Sequence, residues 1–473
     1  MVFPTIQFAV FFPIVLALSW ALMARQHVWK PFMLAASYLF YSAASPKFCL
    51  LLAGVTLGNQ AAAKLVHRTE DERRRRLIVG IAVALDLATL GVFKYYGFFA
   101  EEINAVLDEA GLGLPLPLAA IALPVGISFI VFQAISYTVD VHRRLLAPAP
   151  TIDVGLYLSF FPHLVAGPIV RAREFLPQLA GPRDPRKVAV GAGVALIVIG
   201  LVKKVAIADF LAREVVDPVF GVPQAYAAPD VALAAYAYAV QIFCDFSGYT
   251  DIAIGLALLM GYVFPQNFDR PYRAASFREF WRRWHMTLSR FLRDFLYIPL
   301  GGSRHGRLRQ ARNVMITMLL GGLWHGAAWT FVVWGLLHGF YLAIERLIKA
   351  LVKEKPWSES TAFKLLIGLT TYVAVLVAWV YFRAKDFETA NRILAGMFGT
   401  HAQADAILGT REIVQVITVT ALMLVAHWSL RESSLEAAVA RLPRGLVTIA
   451  WAFMVCALIL TQGNSNAFIY FQF

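Results

Sequence analysis

Charge is what this chain has little of. Asp, Glu, Lys and Arg make up only 15% of its 473 residues, where a soluble domain carries about 25%. Hydrophobic residues reach 59% and mean hydropathy is +0.63, a balance that excludes a water-soluble globular domain. Cysteine is scarce too. Cys49, Cys244 and Cys456 lie far apart in apolar segments, with neither metal-ligand spacing nor a disulfide framework, so core packing is their expected role. No Walker loop, dinucleotide fingerprint, HExxH or nucleophile elbow occurs, which leaves phosphoryl and hydride transfer without visible machinery. Net charge is +13, but the basic residues are confined to loops between apolar runs. That is the positive-inside pattern of a membrane protein and not the footprint of nucleic-acid binding.

What is present is a series of apolar windows near the length that crosses a bilayer, about 20 residues. The fold class is therefore all-α, a polytopic helical membrane protein of roughly ten to twelve spans with re-entrant or interfacial helices. The spans read as 5–23, 31–44, 48–66, 77–97, 117–140, 188–212, 233–262, 313–347 (interrupted), 362–382, 412–430 and 445–462. The first has no basic residue before it and no small-residue cleavage site after it, so it is expected to be a retained helix and not a signal peptide. Connections rich in Lys and Arg, at 67–76, 141–144, 171–187, 265–312, 346–364 and 431–444, are assigned to the cytoplasm. The poorer ones, 98–116 and 213–232, are assigned to the outside. Alternation then places both termini outside, provided that 313–347 enters and leaves on one side. No inverted repeat of the transporter kind is evident, and the chain reads as one integral membrane domain, 1–473.

Two stretches do not behave as simple spans. Phe160 to Pro168 is apolar yet carries two prolines and a glycine. Irregular backbone at membrane depth requires cover from protein or a water-filled cavity, so this segment is expected to be re-entrant or interfacial. The second is Gly321-Gly322-Leu323-Trp324-His325-Gly326. An ionisable residue in apolar surroundings is costly and marks a functional site by default, and imidazole suits proton exchange near neutral pH. His325 is thus the first catalytic candidate. His338 is thirteen residues on, about 220° round and about 20 Å along an ideal helix, so it shares a site with His325 only if the helix breaks between them. It reads as structural. Gln241 and Asp245 share a helix face at i, i+4; interhelical hydrogen bonds or a polar passage would both explain them.

Residues 270–312 contain eleven arginines. Phe277, Trp281, Trp284, Leu288, Phe291, Leu292 and Phe295 recur at three- and four-residue steps, which predicts one amphipathic helix lying in the membrane interface. His285 falls at the edge of its apolar face, where a structural hydrogen bond and a functional role both fit. Most of the arginines suit an anchor on anionic lipid. Some could pair with the phosphates of a cytosolic substrate.

Taken together, the motifs resemble the membrane-bound O-acyltransferases, specifically the bacterial alginate O-acetyltransferase branch. The resemblance runs over almost the whole chain. It rests on Leu123 to Phe129, Ser136-Tyr137, Phe161 to Ile169, Asp245 to Tyr249, Glu279 to His285 and Leu319 to Gly326. It implies a ring of tilted helices around a central tunnel. It also implies transfer of acetyl from cytosolic acetyl-CoA, with no permanently bound cofactor, to an acceptor hydroxyl beyond the membrane. The family's catalytic histidine falls on His325 and its second histidine on His285. Arg282, Arg283, Arg290 and Trp324 become the candidates for holding the donor.

The resemblance further implies a bacterial inner-membrane location and a periplasmic SGNH-type partner that passes acetyl to a surface glycan. Phe468 to Phe473 resembles instead the ending of relatives serving peptidoglycan O-acetylation and teichoic acid D-alanylation, so the acceptor stays open. A transporter or flippase of an acylated glycan or lipid, and a purely structural subunit of an export complex, are the alternatives from other classes.

Overall fold

In a computed structural model of the chain, the described residues are 1, 3, 5–113, 115–118, 121–352, 360–400, 404–429 and 443–461. The expected basic connection 431–444 falls almost wholly outside them, as do the middle of 346–364 and the ending Phe468 to Phe473. The described residues are helical with no named strand. Among the described residues, seven helices are long and apolar enough to cross a membrane, and three shorter apolar helices accompany them, so the polytopic all-α reading holds. Residues group into two compact units, Met1–Ile197 with Asp251–Pro265, and Val198–Thr250 with Gln266–Phe473.

The first unit contains α1 (Ile6–Leu22), α2 (Gln26–Ser42), α3 (Pro46–Arg68) and α4 (Glu72–Glu109), followed by α5 (Ile127–His142), α6 (Thr151–Ser159) and the short α7 (Phe161–Leu164). Thr5 caps α1 by accepting from the Phe8 N–H. Asp71 caps α4 by accepting from the Arg73 N–H at 2.9 Å. Polar pairs tie the apolar helices: Asn59 donates to Asp86 at 2.9 Å and Thr138 donates to Asn59 at 2.7 Å. Such interhelical bonds hold membrane helices where lipid offers no hydrophobic drive.

The span expected at 117–140 begins only at Ile127. Pro115, Pro117 and Pro124 deny the preceding stretch its helical donors. Gly126 then turns the chain at φ +76°, where a Cβ would collide with the Leu164 carbonyl oxygen. Phe160 to Pro168 is not a membrane-length helix: the single turn α7 gives way to bends at Val165 to Gly167, and the stretch is buried throughout. Its rings pack with Phe175, Tyr262 and Phe264, and His163 Nε2 meets the Tyr157 carbonyl at 2.8 Å. Protein thus covers the backbone that could not face lipid.

Helix α8 (Val190–Gly221) carries two π-helical stretches, Val202–Ala208 and Ala212–Val216. Helix α9 (Ala228–Leu259) gives its residues up to Thr250 to the second unit. There Gly248 lies against the Gly200 carbonyl, and Lys204 sits between Asp245 at 2.5 Å and Asp209 at 2.8 Å. All three are buried. Asp245 is therefore half of an interhelical ion pair, the packing alternative of the two its position allowed.

The remaining elements are α10 (Phe277–Arg283), α11 (Met286–Leu292), α12 (Arg307–His325), α13 (Trp329–Val352), α14 (Thr361–Arg383), α15 (Phe387–Gly396), α16 (Thr410–Ser429) and α17 (Arg444–Leu460). The interrupted span 313–347 is a hairpin of two helices, and the break comes after His325, at Gly326, while Gly321 and Gly322 stay helical. Those glycines serve close approach. A Cβ on Gly322 would collide with the Phe331 carbonyl oxygen, and one on Gly335 with the Met318 carbonyl oxygen. Small residues let the two backbones touch.

Candidate active site

The single amphipathic helix expected over 277–295 is not formed. Helix α10 ends at Arg283, Trp284 is extended, and His285 adopts a left-handed conformation at φ +41°, ψ +54° before α11 starts. A further π turn, Arg293–Tyr297, follows. Much of the apolar face is buried within the protein: Trp284, Leu288, Phe291 and Leu292 are all inside. Trp284 is buried against Trp379 and Phe268, with ring centroids 4.8 and 5.0 Å away. A non-glycine residue in this conformation costs roughly 1–2 kcal/mol, so the surroundings must impose it.

Asn267 imposes it. Its backbone carbonyl accepts from the Met286 N–H at 2.9 Å. Its side-chain oxygen faces His285 Nδ1 at 3.1 Å, the Thr287 N–H at 3.2 Å and the Thr287 hydroxyl at 2.8 Å. One asparagine thus holds three consecutive residues at the break. His285 is fully buried beneath it, edge-on to Phe246 at 4.7 Å, and burial pushes its pKa down to about 3.

His325 is the last residue of α12 and only 3% exposed. Three aromatic rings meet it near a right angle: Trp324 and Trp334 at 5.0 Å and Phe382 at 5.2 Å. The ring of His285 lies 6.3 Å away. Two histidines forty residues apart in sequence therefore share one buried, aromatic-walled site. Trp324 joins them, 6.0 Å from His285.

The arginine candidates are differently placed. Arg282 and Arg283 precede the break on α10, and Arg290 lies on α11. Arg282 is exposed and Arg290 half-buried. Arg283 bridges Asp269 at 2.6 Å and Glu279 at 2.9 Å, so its charge already braces the loop around Asn267. His338 is nearer the site than its spacing on one helix implies, because the hairpin turn supplies the break. It packs on the Trp334 ring at 4.8 Å, the same indole that touches His325. Its Nδ1 accepts from the Trp281 indole N–H at 3.3 Å, a structural bond of the kind expected for it.

Asn267, Trp334 and Phe382 are site residues that the sequence did not single out. Nothing in Pro265-Gln266-Asn267-Phe268 marks an asparagine that clamps residues eighteen and twenty positions later. Among the described residues no cluster of His, Cys, Asp or Glu suited to a metal ion was found. A neutral, buried imidazole beside a second one, walled by rings, is suited to moving a proton on a substrate that reaches it.

Known proteins bear on which substrate that is. Residues 142–384 match the membrane-bound O-acyltransferase family. The chain is 42% identical to the "Probable alginate O-acetylase AlgI" of Pseudomonas syringae pv. tomato, over 82% of this chain and 73% of that protein. It is 36% identical to the peptidoglycan O-acetyltransferase of Helicobacter pylori, over 78% and 74%. It is 28% identical to the teichoic acid D-alanyltransferase of Streptococcus thermophilus, over 54% and 67%. The matched region contains the break at His285 and the whole α12–α13 hairpin. By that match, and by identity over most of its length to acyl-transferring relatives, the chain belongs to the membrane-bound O-acyltransferase family.

Proposed function

We propose that this protein transfers an acetyl group from acetyl-CoA to an acceptor hydroxyl, in the O-acetylation of an exopolysaccharide or other cell-surface glycan of the alginate kind. The observation that carries this reading is the meeting of His325 and His285 in one buried site, with ring centroids 6.3 Å apart. His325 acts as general base on the acceptor hydroxyl. The freed oxygen attacks the thioester carbonyl, the carbon–sulfur bond breaks, and the leaving thiolate takes the proton back from His325 to depart as the thiol. Base catalysis by one positioned group supplies about 10²–10⁴-fold. The aromatic wall keeps water from competing for the thioester.

Coenzyme A carries phosphates, which exposed guanidinium groups pair with well. Arg282, which is exposed, and the half-buried Arg290 are the entry candidates. Arg283 holds the loop, and Trp324 stands beside the histidines. Coenzyme A does not cross a bilayer, so the donor is cytosolic and the glycan lies beyond the membrane. A relay through a serine of a periplasmic SGNH-type partner bridges the two, in a bacterial inner membrane. The higher identity to the alginate and peptidoglycan relatives than to the D-alanyl relative supports acetyl as the group moved.

Mass spectrometry of surface glycans from cells with and without this protein tests the reading. Loss of acetyl esters on deletion is expected, and unchanged acetylation contradicts it. Acetyl-CoA consumption by the purified protein separates an acyltransferase from a transporter, which consumes none.

A further inference from the structure

We propose that Asn267 is a positioning residue for the reaction: it fixes the tautomer of His285 so that Nε2 presents its lone pair to the reacting groups. The inference rests on the acetyl-transfer reading for its catalytic meaning, but its structural content stands alone. A backbone N–H can only donate. The Asn267 side-chain atom facing the Thr287 N–H at 3.2 Å is therefore the amide oxygen and not the nitrogen. The opposite end of the amide agrees, since its NH2 points to the Thr250 hydroxyl at 3.5 Å.

That oxygen is also 3.1 Å from His285 Nδ1. Oxygen cannot donate, so Nδ1 carries the hydrogen. A neutral imidazole has one N–H, which leaves Nε2 deprotonated. Burial keeps the ring neutral, pushing its pKa down to about 3. Nε2 is itself buried with no hydrogen-bond partner among the described residues. An acceptor left bare in a closed site costs about 1–3 kcal/mol, and it persists where a substrate or water hydrogen completes it. His325 is the titratable side chain packed against this imidazole, which is otherwise ringed by Phe246, Phe268 and Trp324.

The strained backbone has the same cause. Left-handed His285 is where α10 stops and α11 starts. A continuous helix would carry the imidazole past Asn267. Strain of this kind persists where the surroundings over-determine it, and here the Asn267 carbonyl and amide oxygens together grip residues 285 to 287. His285 is thus held the way an orienting group holds a catalytic imidazole, by a hydrogen bond to the nitrogen that does no chemistry.

Two measurements on the purified full-length protein test this. The first is the nitrogen spectrum of ring-15N-histidine-labelled protein at pH 7, with His285 assigned from the signal missing in His285→Gln. It should show protonated Nδ1 and bare Nε2, and Asn267→Leu should abolish that preference. A hydrogen on Nε2 in the wild type, or an unchanged tautomer in Asn267→Leu, overturns the proposal. This readout needs no acetyl transfer, so it separates failure here from failure of the proposed function.

The second is kinetic. Asn267→Leu should lower kcat by roughly ten- to a hundred-fold and leave KM for acetyl-CoA within about twofold. In a His285→Ala background the same change should cost nothing more, because it acts through the missing ring. A full multiplicative loss there overturns the proposal. Should Asn267→Leu fail to fold, Thr287→Val removes one of the three donors to the amide oxygen while keeping shape. It should weaken both the tautomer preference and kcat, and wild-type values for both overturn the proposal.

Discussion

The imidazoles of His285 and His325 lie 6.3 Å apart, centroid to centroid, with ring planes at 55°. They come from elements that meet only in the folded chain: a strained junction between two short helices and the end of a long one. The Trp324 ring packs near both, Trp334 and Phe382 wall His325, and Phe246 and Asn267 flank His285.

Below neutral pH the buried His285 should cost stability. The folded protein keeps it unprotonated down to about pH 3, while an unfolded chain protonates it near 6.5. Protons therefore favour unfolding across that window. The stability from the neutral ring is fully present above about 6.5 and is lost as pH falls toward 3. Melting temperatures of the detergent-solubilised protein should decline across that range, and His285→Gln should make the decline shallower. An identical slope in the variant would place the ring outside the core.

Arg282 and Arg283 should fail differently. Arg282→Gln removes an exposed charge and should raise KM for acetyl-CoA severalfold while leaving kcat near wild type, the mark of lost ground-state binding. Arg283→Gln leaves Asp269 and Glu279 without their shared partner. It should lower melting temperature and kcat together, since Asp269 is two residues from Asn267. Steady-state kinetics with thermal denaturation checks both, and matching behaviour of the two variants contradicts the assignment.

The buried triad of Lys204, Asp209 and Asp245 should be structural. Lys204→Met removes the ammonium between two carboxylates and should destabilise by about 3–5 kcal/mol. Replacing all three charges, with Lys204→Met, Asp209→Asn and Asp245→Asn, should restore much of the fold. Transfer activity should return with it. A well-folded triple variant that transfers no acetyl would show that the triad serves the reaction.

The hairpin that carries His325 depends on two glycines. Gly335→Val should separate α12 from α13, because the added carbon atoms meet the Met318 carbonyl. Overpacking of this kind costs typically 1–3 kcal/mol. The variant should melt lower and lose activity by displacing His325. Wild-type melting would mean the helices part without cost.

Much of this architecture could be read from residues alone, for identifiable reasons. Apolar run length exposed the spans, because lipid imposes it directly. His325 stood out because an imidazole between glycines and tryptophans has no cheap explanation. The junction at His285 did not, since Trp281 to Phe295 keeps helical spacing and contains no glycine or proline. Asn267 and the Asp269 N–H, which donates to the Arg283 carbonyl, meet the chain at that break from another loop, and tertiary hydrogen bonds leave no local pattern. The hairpin turn falls at Gly326, inside the stretch Gly321 to Gly326, while Gly321 and Gly322 serve close packing within the helix. The start of α5 was displaced because hydropathy ignores the prolines before Ile127.

The most direct measurement is acetyl transfer by the purified protein with acetyl-CoA and acceptor, wild type against His325→Ala, each shown to be folded by thermal denaturation. The account predicts a loss of about 10²-fold or more with an unchanged melting profile. A folded His325→Ala protein that keeps more than about a tenth of wild-type turnover would contradict it.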